Sequence, residues 1–198
     1  MRINSFFSKL IIIFFVLMLT YYYAQYQRNM FYSVGGDHAG ELALKRLPDF
    51  VSTDVSTGGK VKSSEFLKGA NGVFVHIWAT WCGPCEKEMP EFLAYAKSVQ
   101  DKGIKFYLVA VNDEEVKIKK FIGRFVLPVN VQIMFDKENV VMDLFGTLKV
   151  PETFLFDSTG KHINKFIGPQ DWGQSSYKDR LDFWLNIQNL VERKIETH

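Results

Sequence analysis

Short unbroken apolar runs alternate with stretches of helical period from residue 47 onward. Val73 to Ala79 is nearly continuous apolar sequence, which predicts a central strand buried on both faces; Ile104 to Val111 predicts a second. Between them Cys85, Met89, Phe92, Leu93, Ala96 and Val99 fall on one helical stripe, and Gly103 stops it. Pro90 lies inside that stripe and is expected to kink it, freeing the carbonyl of Glu86. Asn112-Asp113 ends the second strand and caps a helix over 114–125. Val116, Ile118, Phe121, Ile122 and Phe125 are its apolar positions, and Lys117, Lys119, Lys120 and Arg124 form a solvated basic face.

Shorter elements flank this centre. Asp49–Thr53 and Lys60–Lys62 read as strands around the Thr57-Gly58-Gly59 turn, followed by a one-turn helix, Ser64–Lys68, that Gly69 ends. Val129–Phe135 is a strand after Pro128, and Glu138–Phe145 is a short helix closed by Gly146. Thr153–Asp157 and His162–Ile167 form a hairpin around Ser158-Thr159-Gly160. Trp172 follows in a loop, and a last amphipathic helix spans Ser176 to Glu192, with Leu181, Trp184, Leu185, Gln188 and Val191 at helical spacing. Strands alternating with helices and ending in an antiparallel hairpin predict an α/β fold with a mixed central sheet, helices on both faces and an N-terminal β-hairpin extension.

Before residue 47 the pattern is different. Leu10 to Tyr23 carries no charge, with Arg2 and Lys9 on its N-terminal side. At about 1.5 Å per residue that run is short for a ~30 Å hydrocarbon core. Interfacial Tyr21, Tyr22, Tyr23 and Tyr26 and a snorkelling Lys9 would extend it. The expectation is a cytoplasmic N-terminus at 1–9, a transmembrane signal-anchor at 10–26, a stalk at 27–46 and a compact domain at 47–195. The competing expectation is a cleaved signal peptide, although cleavage after Ala24 would put the bulky Tyr22 at the −3 position. Either one exports the domain. The anchored form implies single-pass insertion in the inner (cytoplasmic) membrane, with the domain facing the periplasm or cell exterior.

Composition adds little beyond a core. Hydrophobic residues are 47% and aromatics 15% of the 198 residues, which excludes global disorder, and a formal net charge of +2 gives no argument for nucleic acid.

The chemistry lies in Trp81-Cys82-Gly83-Pro84-Cys85, which holds the chain's only two cysteines. Cysteines three apart close too small a loop to contribute much stability. At a strand-to-helix junction the first sulfur sits over the helix N-terminus, whose unpaired N–H groups and dipole stabilise a thiolate. Lowering an ordinary thiol pKa of ~8.5 to ~7 makes roughly half of it thiolate near neutral pH. Cys82 is then the attacking sulfur, at the exposed helix start, and Cys85, on the buried stripe, resolves the mixed disulfide. The alternatives are a zinc half-site or a buried inert pair, but zinc wants about four ligands, and His38, His76, His162 and His198 are scattered without ligand spacing. No metal or other cofactor is expected. Glu88, three residues past Cys85, can take the proton that Cys85 must lose, or else be a solvated helix glutamate.

These motifs, with the downstream Val-Pro-Glu-Thr-Phe segment, resemble the thioredoxin superfamily. The segments LPDFVSTD, HIWATWCGPCEKEMPEF and FDKENVVMDLFGTLKVPETFLFDSTGK resemble its membrane-anchored TlpA/ResA/CcmG (DsbE) branch, over about residues 47 to 190. The resemblance implies a thioredoxin-like fold and a redox-active Cys82–Cys85 disulfide. It also implies a cis Val150-Pro151 peptide beside it; Pro151 cannot donate to the sheet, so Val150 is left free to pair with an extended substrate. Gly83 and Pro84 tune the potential toward that of reductants, Trp81 shields the disulfide, and Glu152 resembles an acidic residue that could recognise a partner. Thioredoxins place a buried acid where this chain has His76, which is either a proton shuttle or a hydrogen-bonded core histidine.

The function so implied is an extracytoplasmic thiol:disulfide oxidoreductase, reducing protein disulfides such as apocytochrome c cysteines in cytochrome c maturation. A membrane thiol-electron donor of the DsbD/CcdA type would recharge it. Alternatives are a general envelope reductase or isomerase of the TlpA type, and a Cu(I)-handling chaperone using the same two thiolates.

Overall fold

The computed structural model describes residues 13–23, 44–181 and 183. The chain divides into two compact units, Met1–Ala43 and Leu44–His198. In the first, residues 13–23 form a helix. Among the described residues no helix is long and apolar enough to cross a membrane. This corrects the expected single-pass placement in the inner membrane and its transmembrane segment: at about 1.5 Å per residue the described helix covers roughly 17 Å, little more than half of a hydrocarbon core. The rest of the expected anchor, the 1–9 terminus, most of the 27–46 stalk, and residues 182 and 184–192 of the last expected helix, with the end of the expected domain to 195, lie outside the described residues.

The second unit is built on one seven-stranded mixed sheet. Its strands are β1 (Val51–Asp54), β2 (Lys60–Lys62), β3 (Gly72–Trp78), β4 (Ile104–Ala110), β5 (Val131–Phe135), β6 (Glu152–Asp157) and β7 (His162–Ile167), in the spatial order β2-β1-β5-β4-β3-β6-β7. β3 runs parallel to β4 and antiparallel to β6, so its C-terminal end, where the cysteines follow, lies inside the sheet. The N-terminal hairpin joins through an antiparallel β1–β5 pairing.

The continuous apolar run of β3 is explained by the two cores it separates. Phe74 and Trp78 face one with Met89, Phe92, Ile118 and Phe121; Val73, Val75 and Ile77 face the other with Phe66, Val141 and Phe145. Helices α1 (Gly83–Ser98) and α2 (Glu115–Ile122) contribute to the first core, and α3 (Val141–Phe145) to the second. Helices therefore cover both faces, as alternating elements imply.

Boundaries moved where a side chain or a tighter turn won. α1 begins at Gly83, with Cys82 as its N-cap, and continues through Pro90. α2 stops at Ile122 because the N–H groups of Arg124 and Phe125 bond the carbonyls of Phe121 and Ile122, a tightening common at helix ends. α3 starts late: Asn139 takes a φ of 54°, and the Asp136 carboxylate accepts the Val141 N–H at 2.8 Å.

Candidate active site

Cys82 and Cys85 are joined, with an S–S distance of 2.14 Å. The local sequence explains the turn. Cys82 takes an extended N-cap conformation, and its Sγ accepts the Cys85 N–H at 3.2 Å. Pro84 sits in the first helical turn, where a missing N–H costs nothing. The sulfur thus occupies the place of an N-cap oxygen, facing orphan helix donors, which favour negative charge on it once the disulfide opens. Cys82 is less exposed than its position at the helix start suggests, at 5% against 0% for Cys85. The reason is the segment crossing it: the Val150 carbonyl oxygen lies 3.7 Å from Cys82 Sγ, and the Val150-Pro151 peptide is cis.

The loop before the cysteines is pinned from α2's side of the sheet. Asp113 accepts the Thr80 N–H at 2.6 Å and the Thr80 hydroxyl at 2.9 Å. Trp81 donates its indole N–H to the Asn112 carbonyl at 2.9 Å and keeps 61% of its surface exposed, so it presents a broad apolar face beside the disulfide. Asn112 itself holds a left-handed φ of 49°, which asparagine tolerates better than most residues. Glu86, in the first turn of α1, pairs with Arg124 at 2.8 Å, so one member of the basic face reaches the site.

One turn along α1 from Cys85 lies a buried polar cluster. Glu88 is 5% exposed and His76 0%. Glu88 Oε2 accepts the Gln170 N–H at 2.8 Å and the Trp172 indole N–H at 3.4 Å, while Oε1 faces His76 Nε2 at 3.5 Å. His76 Nδ1 is bonded to the Thr153 hydroxyl at 2.8 Å. Burial pushes Glu88 up from 4.5 to about 7 against the pull of its two donors, and pushes His76 down from 6.5 to about 3. Close as they are, the two side chains do not form an ion pair near neutral pH, because the histidine stays neutral whether or not Glu88 is ionised.

Of the residues expected at the site, Cys82, Cys85, Trp81, Gly83, Pro84, Val150 and Pro151 cluster at the disulfide, and His76 and Glu88 meet one turn further along α1. Glu152 is buried and paired with Lys165 at 2.9 Å instead of standing free. Asn112, Asp113, Thr153, Gln170 and Trp172 were not singled out for the site by sequence reasoning. Only GPQDW after the last hairpin could have hinted at the last two. Among the described residues no group of three or more His, Cys, Asp or Glu side chains is assembled to hold a metal ion.

Trp172 closes the cluster. It is buried against Phe92, Tyr95, Phe166 and Tyr177, with ring centroids 4.8 to 5.4 Å away. Trp172→Ala is expected to destabilise the domain by about 3–5 kcal/mol and to admit water to Glu88. Its carboxyl midpoint should then fall from about 7 toward 4.5, which carboxyl-carbon NMR reads directly.

The comparisons agree with this geometry. Residues 43–181 match the family model described as Redoxin. The thiol-disulfide oxidoreductase ResA of Bacillus thuringiensis (strain Al Hakam) is 35% identical over 141 residues, covering 71% of this chain and 75% of its own. A thiol:disulfide interchange protein assigned to the DsbE type from Chlorobium tepidum superposes with a TM-score of 0.61 at 25% identity, covering 71% of this chain and 96% of the other. A thiol:disulfide interchange protein from Bacteroides sp. gives 0.53 at 26% identity, covering 61% and 78%.

Proposed function

Because the chain belongs to the Redoxin family, as a thiol:disulfide oxidoreductase of the ResA and DsbE type, we propose that it works as a reductant of protein disulfides. The observation that carries this reading is Cys82 Sγ, held at a helix N-terminus and 3.7 Å from the Val150 carbonyl. In the reduced protein Cys82 thiolate attacks one sulfur of the substrate disulfide, forming a mixed disulfide and releasing one substrate thiolate. Cys85 then gives its proton to Glu88, and its thiolate attacks Cys82 Sγ. That restores the Cys82–Cys85 bond and releases the second substrate thiolate, so two electrons pass to the substrate. The Val150 backbone, next to a proline that has no N–H, lines up an extended substrate segment over Cys82. Trp81 supplies an apolar contact for it.

The partners follow from the resemblance in the motifs. Apocytochrome c cysteines are one acceptor, in cytochrome c maturation, and a thiol-electron donor of the DsbD/CcdA type recharges the pair. The Gly83-Pro84 dipeptide supports the reducing direction.

Cys85→Ser tests the scheme. Without the resolving thiol, mixed disulfides through Cys82 should accumulate and be captured with their substrates, apocytochrome c among them. Their absence from cells that carry the variant would remove the assignment. A pair found wholly oxidised in growing cells would reverse the direction.

A further inference from the structure

Two buried polar atoms in this domain have no hydrogen-bond partner and face each other: His76 Nε2 and Glu88 Oε1, 3.5 Å apart. Leaving either unpaired would cost about 1–3 kcal/mol. Each is the other's natural partner, and which one donates depends on where the protons are.

The other contacts decide that. Oε2 already faces two donors, the Gln170 N–H and the Trp172 indole, so a proton on Glu88 must sit on Oε1 and point at Nε2. Nε2 is then an acceptor, the single proton of the neutral ring sits on Nδ1, and it is donated to Thr153 Oγ1. When Glu88 is ionised the order reverses. Nε2 carries the ring proton and donates it to Oε1, and Nδ1 accepts from the Thr153 hydroxyl, which can turn to donate. Both arrangements give His76 Nδ1, His76 Nε2 and Glu88 Oε1 a partner. They differ by one proton in total, and the histidine stays neutral in each.

We propose that His76 and Thr153 are positioning residues that serve both protonation states of Glu88, with His76 exchanging its Nδ1–H and Nε2–H tautomers as Glu88 gains and loses its proton. This rests on the proton-acceptor role given to Glu88 above and supplies what such a role needs in a buried site. A buried carboxyl can carry a proton repeatedly only if neither form strands a polar atom.

α1 presents Glu88 itself and Phe92, whose ring lies 4.5 Å from His76; β4 pairs Leu108 opposite His76, and β6 brings Thr153. Tyr177 is one bond removed, through the Gln170 amide oxygen at 2.8 Å. Cys85 stands one turn away on α1. Burial holding His76 far below its usual range agrees with a ring that stays neutral throughout.

The test is nitrogen NMR of His76 in the full, oxidised chain, where no thiol titrates. As Glu88 titrates near pH 7, the Nδ1 and Nε2 shifts should exchange their protonated and unprotonated values. In Glu88→Gln the carboxamide oxygen takes the two donors and its NH2 faces Nε2, so His76 should stay in the Nδ1–H form at every pH. In His76→Leu the ionised carboxylate loses its N–H donor and the neutral carboxyl loses its acceptor; the charge-assisted bond is the stronger of the two, so the Glu88 midpoint should rise by about 1 on the pH scale. His76→Gln, whose amide can present either group, should restore the wild-type midpoint. A His76 tautomer that does not change while Glu88 titrates, or one unaffected by Glu88→Gln, overturns the proposal even if His76→Leu does not fold. Normal reduction kinetics in Glu88→Gln would instead overturn the proton-acceptor reading and leave the tautomer coupling standing.

Discussion

Cys82→Ala is expected to abolish disulfide reduction, lowering the rate at least ~10³-fold, because no other group in the site can form the first covalent bond. Cys85 does not substitute for it. It is fully buried on the inner stripe of α1, and its own N–H is the donor that Cys82 Sγ accepts, so the helix N-terminus stabilises charge on Cys82 and not on Cys85. Cys85→Ser should behave differently, keeping the first step and stalling at the mixed disulfide. Stopped-flow reduction of a small disulfide, with the first thiol released followed separately from the second, distinguishes the two. Equal first-thiol bursts from both single variants would mean that the sulfurs are interchangeable.

Glu88→Gln is expected to stabilise the oxidised domain by about 3 kcal/mol at pH 8 and to slow closure of the mixed disulfide about 10²-fold. The sign follows from the direction of the shift. The folded carboxyl titrates at about 7, above its usual 4.5, so its contribution to stability is fully present below pH 4.5 and is lost as pH rises through 7. At about 1.4 kcal/mol per pH unit, that loss is about 3 kcal/mol, and a neutral glutamine removes it. His76 has the opposite slope. Its folded value of about 3 lies below 6.5, so its contribution is present above pH 6.5 and is lost as pH falls toward 3. Between pH 4.5 and 6.5 the unfolded chain holds its proton on histidine and the folded one on glutamate, and the two slopes cancel. Urea titrations of the wild type should therefore show a flat contribution from this pair in that window. The Glu88→Gln variant should lose stability across it by about 1.4 kcal/mol per pH unit on acidification. Parallel curves for the two proteins would show that Glu88 is not held neutral.

The sequence carried the site's skeleton because that skeleton is local. An apolar run, two cysteines with Gly83-Pro84 between them and a helical stripe place Cys82 and Cys85 within a single strand–turn–helix. Pro151 was legible only through resemblance, since nothing near it in the chain points to residue 82. The polar cluster is legible only in part for the same reason: His76 and Glu88 stand out singly, but not their meeting with the other three. His76, Glu88, Thr153, Gln170 and Trp172 come from β3, α1, β6 and the segment after β7, and no period links them. Glu88 is legible as a proton acceptor from its spacing to Cys85, but a solvated helix glutamate has the same spacing, and it is the 168–172 segment that buries it. The burial of Cys82 was missed because a helix start is normally open, and the Val150 segment that covers it is 68 residues away. At the N-terminus the uncharged run suggested more than the described helix over 13–23 provides.

The central claim is that Cys82 is the reactive sulfur of the pair, and alkylation of the fully reduced full-length protein tests it most directly. Brief treatment with iodoacetamide at pH 7, followed by peptide mass mapping, should label Cys82 at least ~10-fold faster than Cys85. Equal labelling, or faster labelling of Cys85, would contradict the account.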